Sequence, residues 1–246
     1  AGADVTRTDL SERHRQNEIM DAPDLPLAHF VETLKGLGTV NAVTRSASLM
    51  WPDLKAAAAR HPARALRVLD VACGGADVLF SLWRRATKDG LKVEMAGCDL
   101  SATAVTYARD EAAKAGAPIE FFVHRVPQDP LPEGYDLLMS TMFLHHLDKD
   151  AAISFLRDAA AKCRDRIVIQ DLVRSTMSYW FARLGTNVLL LSDICRLDGR
   201  TSVEGAFTRR EALELAREAG LAGMEVVSRL PFRYLIRWVR PREHRR

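Results

Sequence analysis

The residues that most constrain the fold are 68–78, which read VLDVACGGADV. An apolar run leads into a short turn that contains Gly74 and Gly75, and an amphipathic helical pattern follows. A buried strand that is joined to a helix by a glycine-bearing turn is typical of a parallel α/β sheet. Such a turn also brings backbone N–H groups to the start of a helix, so it predicts a ligand site there.

Two ligand classes fit this turn: a dinucleotide pyrophosphate and S-adenosylmethionine (SAM). In the G-x-G-x-x-G pattern of pyrophosphate binders, the glycine positions correspond here to Ala72, Gly74 and Asp77. A carboxylate in the first helical turn repels pyrophosphate and itself satisfies the helix dipole. SAM carries a cationic sulfonium and no phosphate, and it needs Gly74 for the close approach of backbone and ligand. The turn therefore favours SAM.

A second apolar run, residues 93–98, predicts a buried strand that ends at Asp99. An acidic residue at this place can accept hydrogen bonds from both ribose hydroxyls of an adenosyl ligand. Leu100 follows, where it can press on the adenine, and Ser101 predicts the N-cap of the next helix. The alternative is an ordinary loop carboxylate before a helix, but the order of strand, acid and helix favours the ribose role.

Together these motifs resemble the class I SAM-dependent methyltransferases, and the likeness extends from about Arg67 to Val239. It rests on residues 68–74 (VLDVACG), 97–101 (GCDLS) and 135–140 (YDLLMS), the last leading to 144–147 (LHHL). The last piece is similar to the fourth-strand motif of small-molecule methyltransferases such as those of quinone biosynthesis. The cofactor-binding residues that the resemblance implies are Asp70, Ala72, Cys73, Gly74, Asp99, Leu100, Arg125, Val126 and Met142.

The chain departs from the family pattern at two places. Ala72 and Ala76 stand where the motif has its first and third glycines, which narrows the pocket by one methyl group at each position. In the third strand, Arg125 lies near the position where relatives often carry an aspartate for the adenine amino group. Arginine has no acceptor atom, so backbone groups near Val126, stacking, or Asp129 would have to hold the adenine.

Two histidines follow the predicted fourth strand, where the methyl group of the cofactor should emerge. His145 is the candidate catalytic base, because an imidazole titrates near neutral pH and an acceptor hydroxyl must lose a proton. The alternative is that His145 only lines the cofactor pocket. We expect His146, Tyr179 and Arg200 to contact the substrate, and the alternative for His146 is packing beneath the helix cap that Asp148 forms.

Alternating strand and helix patterns from Val68 onward predict a doubly wound, Rossmann-like sheet. Gly116 lies where a helix C-cap belongs, and Thr208 with Glu211 predicts a capping box that opens a later helix. The resemblance implies seven mostly parallel strands with an antiparallel last strand.

We expect residues 1–62 to form a helical leader and cap, with helical periodicity at Leu27, Phe30, Leu34 and Leu37. We expect Pro23, Pro26 and Pro52 to break the leader into short helices, His61 and Pro62 to end it, and residues 63–246 to form the SAM-binding domain. The long connection 174–206, rich in apolar and aromatic residues, is interpreted as a lid over the crevice or as packing against the core or a dimer partner.

Composition narrows the partners. The formal net charge of +3 does not imply nucleic acid, and we interpret the arginines of the last eighteen residues as a solvated strand face and tail. The four cysteines form no C-x-x-C pair, so they suggest neither a metal site nor a disulfide framework. No apolar run approaches the roughly 20 residues of a membrane span. We expect a cytoplasmic enzyme that acts on a small-molecule acceptor. The sequence leaves open whether the protein forms a homodimer.

The predicted function is methyl transfer from SAM to a small, largely apolar or aromatic acceptor, with oxygen methylation of a phenol-like hydroxyl favoured. Carbon or nitrogen methylation is the first alternative. A nicotinamide-dependent oxidoreductase is disfavoured by Asp77 and by the lack of a Tyr-x-x-x-Lys pair. A non-enzymatic module that binds SAM or RNA has only the basic tail in its support.

Overall fold

The structure is a computed structural model that describes residues 9–22, 24–189 and 191–241. Two leader helices come first, α1 (Leu27–Val43) and α2 (Ser46–Arg60), and short 3₁₀ turns occur at Ile19–Asp21 and Leu144–His146. The remaining elements are β1 (Leu66–Val71), α3 (Asp77–Lys88), β2 (Val93–Asp99), α4 (Ala102–Ala115), β3 (Ile119–Val123), β4 (Leu137–Thr141), α5 (Lys149–Lys162), β5 (Arg166–Leu172), α6 (Thr176–Val188), α7 (Asp193–Gly205), α8 (Arg209–Glu218), β6 (Glu225–Arg229) and β7 (Arg233–Val239).

The seven strands form one sheet in the order β3-β2-β1-β4-β5-β7-β6. The pairs from β3 to β5 are parallel, whereas β7 runs antiparallel to both β5 and β6. This arrangement confirms the predicted fold class. The order reverses between β1 and β4, so the carboxyl ends of these central strands open a crevice at the switch point.

Side chains alternate between two cores, one on each face of the sheet. Leu69 and Ile169 belong to the core beneath α5 and α8, whereas Val68 and Val168, each one residue earlier, belong to the core beneath α2, α3 and α4. A strand turns successive side chains to opposite faces, so a sheet covered on both faces needs continuous apolar runs. This requirement explains why the strands were visible in the sequence.

Local capping fixes several helix ends. The hydroxyl of Ser101 accepts from the N–H of Ala104 at the start of α4, and Gly116 ends that helix in the left-handed conformation. Thr208 and Glu211 form the predicted capping box of α8. These signals are local in sequence, and each is confirmed at its predicted position.

The leader differs from the expectation at Pro52, which lies inside α2 and does not break it. Proline within a helix removes one hydrogen bond and costs about 3 kcal/mol. The neighbours Met50, Trp51 and Leu54 are buried against the sheet, and their burial outweighs that cost. The helix ends at Arg60, before His61 and Pro62, as predicted.

Residues 174–206 fold into α6 and α7, which pack against each other. The outer face of α6 exposes five apolar side chains, namely Met177, Trp180, Phe181, Leu184 and Val188. These side chains therefore do not supply the apolar cover of the crevice that the sequence suggested. Among the described residues, every helix is too short or too polar to cross a lipid bilayer.

The arginines of β7 correct the interpretation of a solvated strand face. Arg233 is 1 % exposed, and Arg237 donates to the buried carboxylate of Asp53 at 2.7 Å. Arg166 donates to the other oxygen of Asp53, also at 2.7 Å, so α2 is tied to β5 and β7. Residues 242–246 of the predicted basic tail lie outside the described residues.

Candidate functional site

The turn after β1 holds three residues in the left-handed backbone region. The φ angles are +56° at Ala72, +51° at Gly74 and +58° at Ala76. An L-residue in this conformation brings its Cβ close to the carbonyl oxygen, at a cost of roughly 1–2 kcal/mol. Glycine at positions 72 and 76 would therefore avoid backbone strain as well as enlarge the pocket. Ala72 and Ala76 carry this strain.

Asp99, at the end of β2, bridges this turn to α4. Its Oδ2 accepts from the N–H of Gly74 at 2.8 Å and its Oδ1 accepts from the N–H of Ser101 at 2.9 Å. Burial raises the pKa of Asp99, and the two backbone hydrogen bonds oppose that rise. Each carboxylate oxygen retains a lone pair, so Asp99 can still accept from ribose hydroxyls.

Two further carboxylates lie close to the turn. Asp70 is buried beneath it, with one oxygen unpartnered, and burial together with Asp77 and Asp99 raises the pKa of Asp70 well above its ordinary value. Burial also raises the pKa of Asp77, whose carboxylate accepts from the Asn41 amide at 3.4 Å. A turn lined by acids favours a cationic ligand over an anionic one.

A cavity of about 750 Å³ opens at the carboxyl ends of β1, β2 and β4. Of the cofactor, substrate and catalytic residues predicted from the sequence, those that line it are Ala72, Cys73, Asp99, Leu100, Val126, Met142, His145 and His146. Gly74 is connected to the cavity through Asp99, a lining residue that accepts from its N–H. Asp70 is buried under the turn. Parallel strands end at the same edge of a sheet, which is why motifs so far apart in sequence meet here.

The leader closes the other side of the cavity. Leu27, Phe30, Leu34 and Leu37, the residues of the helical periodicity, line it from α1, and Val40 continues the same face. The segment before α1 is held down by Arg13, which donates to the carbonyl oxygens of His145 (2.8 Å), Leu147 (2.6 Å) and Gly205 (2.5 Å). We call residues 9–25 the strap.

The strap delivers Glu18, a site residue that sequence reasoning missed. Glu18 is buried, and its Oε1 lies 3.4 Å from His145 Nε2 and 3.9 Å from His146 Nε2. Ser202 of α7 donates to the same oxygen at 2.5 Å. Nothing in the local sequence around Glu18 distinguishes it from an exposed leader carboxylate, and only the closed strap brings it to the histidines.

His145 is held between two carboxylates. Its Nδ1 lies 2.7 Å from Asp171 Oδ1, and its backbone N–H donates to Asp171 Oδ2 at 2.9 Å. Burial lowers the pKa of His145, but Asp171 and Glu18 outweigh that effect and raise the pKa to about 10. Without another ligand the imidazole is therefore protonated at neutral pH, which is not the state of a free general base.

Three predicted site residues lie away from the cavity. Arg125 is exposed and forms an ion pair with Asp129 at 2.9 Å along the surface. The neighbouring residues His124 and Gln128 line the cavity instead. Tyr179 packs edge-on against Trp180 on α6. Arg200 lines a second cavity of about 410 Å³ between α6 and α7. In that insertion, it is Ser202 that reaches the main cavity.

Part of the chain is similar to known methyltransferases. Residues 68–166 match the family model of a methyltransferase domain. The ubiquinone biosynthesis O-methyltransferase of Photobacterium profundum is 25 % identical over 126 residues, which are 50 % of this chain and 51 % of the relative. The chain thus spans about half the length of this curated relative.

Solved structures share the fold. The apo SAM-dependent methyltransferase SibL superposes with a TM-score of 0.63 at 17 % identity, over 95 % of this chain and 65 % of SibL. Magnesium protoporphyrin IX methyltransferase of Synechocystis PCC 6803, solved with bound SAH, superposes with a TM-score of 0.54 at 16 % identity, over 83 % of this chain and 84 % of that one. The motif turn, the sheet order and the matched domain model thus agree: residues 68–166 are similar to a methyltransferase domain, on a fold shared with SAM-dependent methyltransferases of known structure.

Proposed function

We propose that the protein transfers a methyl group from SAM to a small, largely apolar or aromatic acceptor, with the oxygen of a phenol-like hydroxyl as the favoured methyl acceptor. The observation that carries this proposal is one cavity in which Asp99 and the acidic turn lie on one side and the apolar face of α1 lies on the other. Its volume of about 750 Å³ is within the range of small-molecule and cofactor sites.

The cofactor would lie along the sheet edge. In this proposal Asp99 binds the ribose hydroxyls, Leu100 presses on the adenine, and the strand-end residues Val126 and His124 line the far wall of the adenine pocket. The turn at Ala72 and Cys73 contacts the amino acid part, and the buried acids favour the cationic sulfonium. Met142, at the end of β4, lies where the methyl group would leave.

The acceptor would lie between the cofactor and α1. Leu34, Leu37 and Phe30 offer an apolar wall, whereas Glu18 and His146 offer polar groups at one end. This polarity suits an aromatic ring that carries a hydroxyl. The name of the Photobacterium relative, an O-methyltransferase of ubiquinone biosynthesis, supports oxygen over carbon or nitrogen.

Methyl transfer is an in-line displacement: the acceptor oxygen forms a bond to the methyl carbon as the bond from carbon to sulfur breaks. The main task of the protein is to align the two reactants and exclude water. The closed strap meets both needs. Because His145 is already protonated, the proton of the hydroxyl would pass to a carboxylate oxygen of Glu18, which His145 and Ser202 hold in place.

A calorimetric titration with SAM, S-adenosylhomocysteine and NAD tests the cofactor. We expect saturable binding of the first two and none of NAD, and binding of NAD alone would overturn the proposal. Incubation with SAM and a panel of phenols and quinols, followed by mass spectrometry, then tests the acceptor. Methylated carbon or nitrogen in place of oxygen would refute the preference for oxygen while leaving the methyltransferase assignment intact.

A further inference from the structure

Three potential metal-binding side chains meet on the wall of the main cavity. Glu18, His145 and His146 each present one donor atom, and these atoms lie within 4.8 Å of one another. Glu18 Oε1 is 3.4 Å from His145 Nε2 and 3.9 Å from His146 Nε2. All three residues border the cavity, so a ligand there can reach them.

The other nitrogen of each imidazole faces a different carboxylate. His145 Nδ1 lies 2.7 Å from Asp171 Oδ1, and His146 Nδ1 lies 3.3 Å from Asp21 Oδ2. Each Nε2 is thereby directed toward the same oxygen of Glu18. Metal-binding histidines commonly have their second nitrogen held by a carboxylate, as Asp171 holds His145 at 2.7 Å, which fixes the ring and increases its basicity as a ligand.

The distance between Glu18 and His145 fits a pair of metal ligands better than it fits a hydrogen bond, and the longer 3.9 Å between Glu18 and His146 would shorten when an ion binds. A charge-assisted hydrogen bond from nitrogen to a carboxylate is about 2.7–2.9 Å long, shorter than the 3.4 Å between His145 and Glu18. Two ligands bound tetrahedrally at about 2.0–2.1 Å from one metal ion are separated by about 3.3 Å. The hydrogen bond from Ser202 to Glu18 further orients the carboxylate, as ligating carboxylates usually require.

We propose that Glu18, His145 and His146 bind one divalent transition-metal ion whose remaining positions open into the cavity. Two imidazoles and one carboxylate suit zinc, iron or a similar ion, whereas magnesium and calcium prefer sets of oxygen ligands. The strap supplies one ligand and the segment after β4 supplies the other two. The ion would therefore also fasten the strap in its closed position.

The role of the ion rests on the proposed function, although its binding does not. In the same cavity as Met142, the ion would coordinate the acceptor hydroxyl and lower its pKa, so that its proton leaves to water before methyl transfer, and it would hold the oxygen toward the methyl group. Such an ion would activate the hydroxyl without a free base. His145 cannot act as that base, because carboxylates contact both of its ring nitrogens. Acceptors with two adjacent oxygens would then bind better than those with one.

Metal binding is tested on the purified chain after chelator treatment, without SAM. Zn²⁺ is titrated in competition with a chromophoric chelator, and Co²⁺ is added separately to read the coordination from its visible absorption. We expect one Zn²⁺ per chain, a Co²⁺ spectrum of low coordination number and no comparable binding of Mg²⁺. Glu18→Gln and His146→Gln should each weaken Zn²⁺ binding by about tenfold or more.

Two exposed leader residues give matched controls, Glu12→Gln and His29→Gln, which should leave the affinity for Zn²⁺ unchanged. Circular dichroism and the melting temperature establish that each variant is folded. Absence of stoichiometric binding, or equal affinity in the Glu18 and Glu12 variants, would overturn the proposal. SAM binding without metal binding would refute this inference alone, whereas metal binding without SAM binding would refute the proposed function alone.

Discussion

At the scale of single residues, the site depends on backbone conformation as much as on side-chain chemistry. Ala72 adopts φ +56°, and Asp99 accepts from backbone N–H groups on two sides of the cofactor turn. The carboxylate therefore shapes the turn before any ligand binds. Two predictions separate the ligand contacts of these residues from their structural roles.

Asp99→Asn should weaken SAM binding by more than about tenfold, because a hydrogen bond to a charged group contributes about 1.5–3 kcal/mol. The amide retains one acceptor for the turn, so the fold should persist. Calorimetry with SAM measures the change, and Glu94→Gln, on the exposed face of the same strand, is the control. Unchanged affinity would show that Asp99 does not bind the ribose.

Ala72→Gly should raise the free energy of unfolding by about 0.5–1 kcal/mol. Glycine removes the cost of the left-handed conformation, and its greater freedom in the unfolded chain offsets part of that gain. Urea denaturation measures the difference. The control is Ala56→Gly at an exposed position inside α2, where the same change should lower stability by about 1 kcal/mol. Equal losses at both positions would contradict the argument.

At the scale of elements, strand β3 and the turn after β1 approach β2 so closely at Gly97 that they leave no room for a side chain there. A Cβ at Gly97 would lie 2.8 Å from the ring of Phe121 and 2.9 Å from the sulfur of Cys73. The ring and the thiol therefore fill the space that a longer side chain would need. Gly97 was visible in the sequence as part of a motif, but its packing role depends on the neighbouring strand and turn.

Gly97→Ala should destabilise the fold by about 1–3 kcal/mol, since the added methyl group overpacks a buried region. It should also displace Cys73 and weaken SAM binding. Denaturation and calorimetry measure the two effects. Gly185→Ala is the control, because a Cβ at this position of α6 meets nothing within 4 Å and should leave stability unchanged or raise it. A neutral Gly97 variant would argue against the close packing.

At the scale of the whole molecule, access to the cavity depends on the strap. Arg13 ties the strap to three carbonyl oxygens, and Asp198 of α7 accepts from the N–H groups of Ile19 and Met20 at 2.8 and 3.1 Å. The insertion, residues 174–206, thus holds the strap in its closed position through these hydrogen bonds. Strap residues such as Glu18 and Met20 line the cavity, so movement of the strap would widen its mouth, and closure of the strap would exclude water during transfer.

Arg13→Ala should loosen the strap while leaving the sheet intact, because the variant loses charge-assisted hydrogen bonds that contribute about 1.5–3 kcal/mol each. Hydrogen exchange across residues 9–25 should accelerate, and the affinity for SAM should fall. Lys35→Ala, an exposed change on α1, provides the comparison. If exchange in the strap matched that of the unchanged protein, Arg13 would not be its anchor.

Much of this architecture was predictable because its signals are short in sequence. The apolar runs gave the strands, Ser101 and Thr208 gave helix starts, and the turn at Gly74 with Asp99 gave the cofactor edge of the sheet. Each depends on the period of a strand, on a cap within one turn, or on the fixed edge at which parallel strands end.

The tertiary structure decided which residues from distant segments contact one another. It brought Glu18 to His145 and His146, buried Arg233 in β7, and directed Arg200 to another cavity. Such contacts depend on how the strap and helices dock, and docking energies come from burial and pairing across the whole fold. The sequence by itself therefore determined the sheet and its cofactor edge, whereas the charge partners of the histidines and the closed cover existed only once the chain had folded.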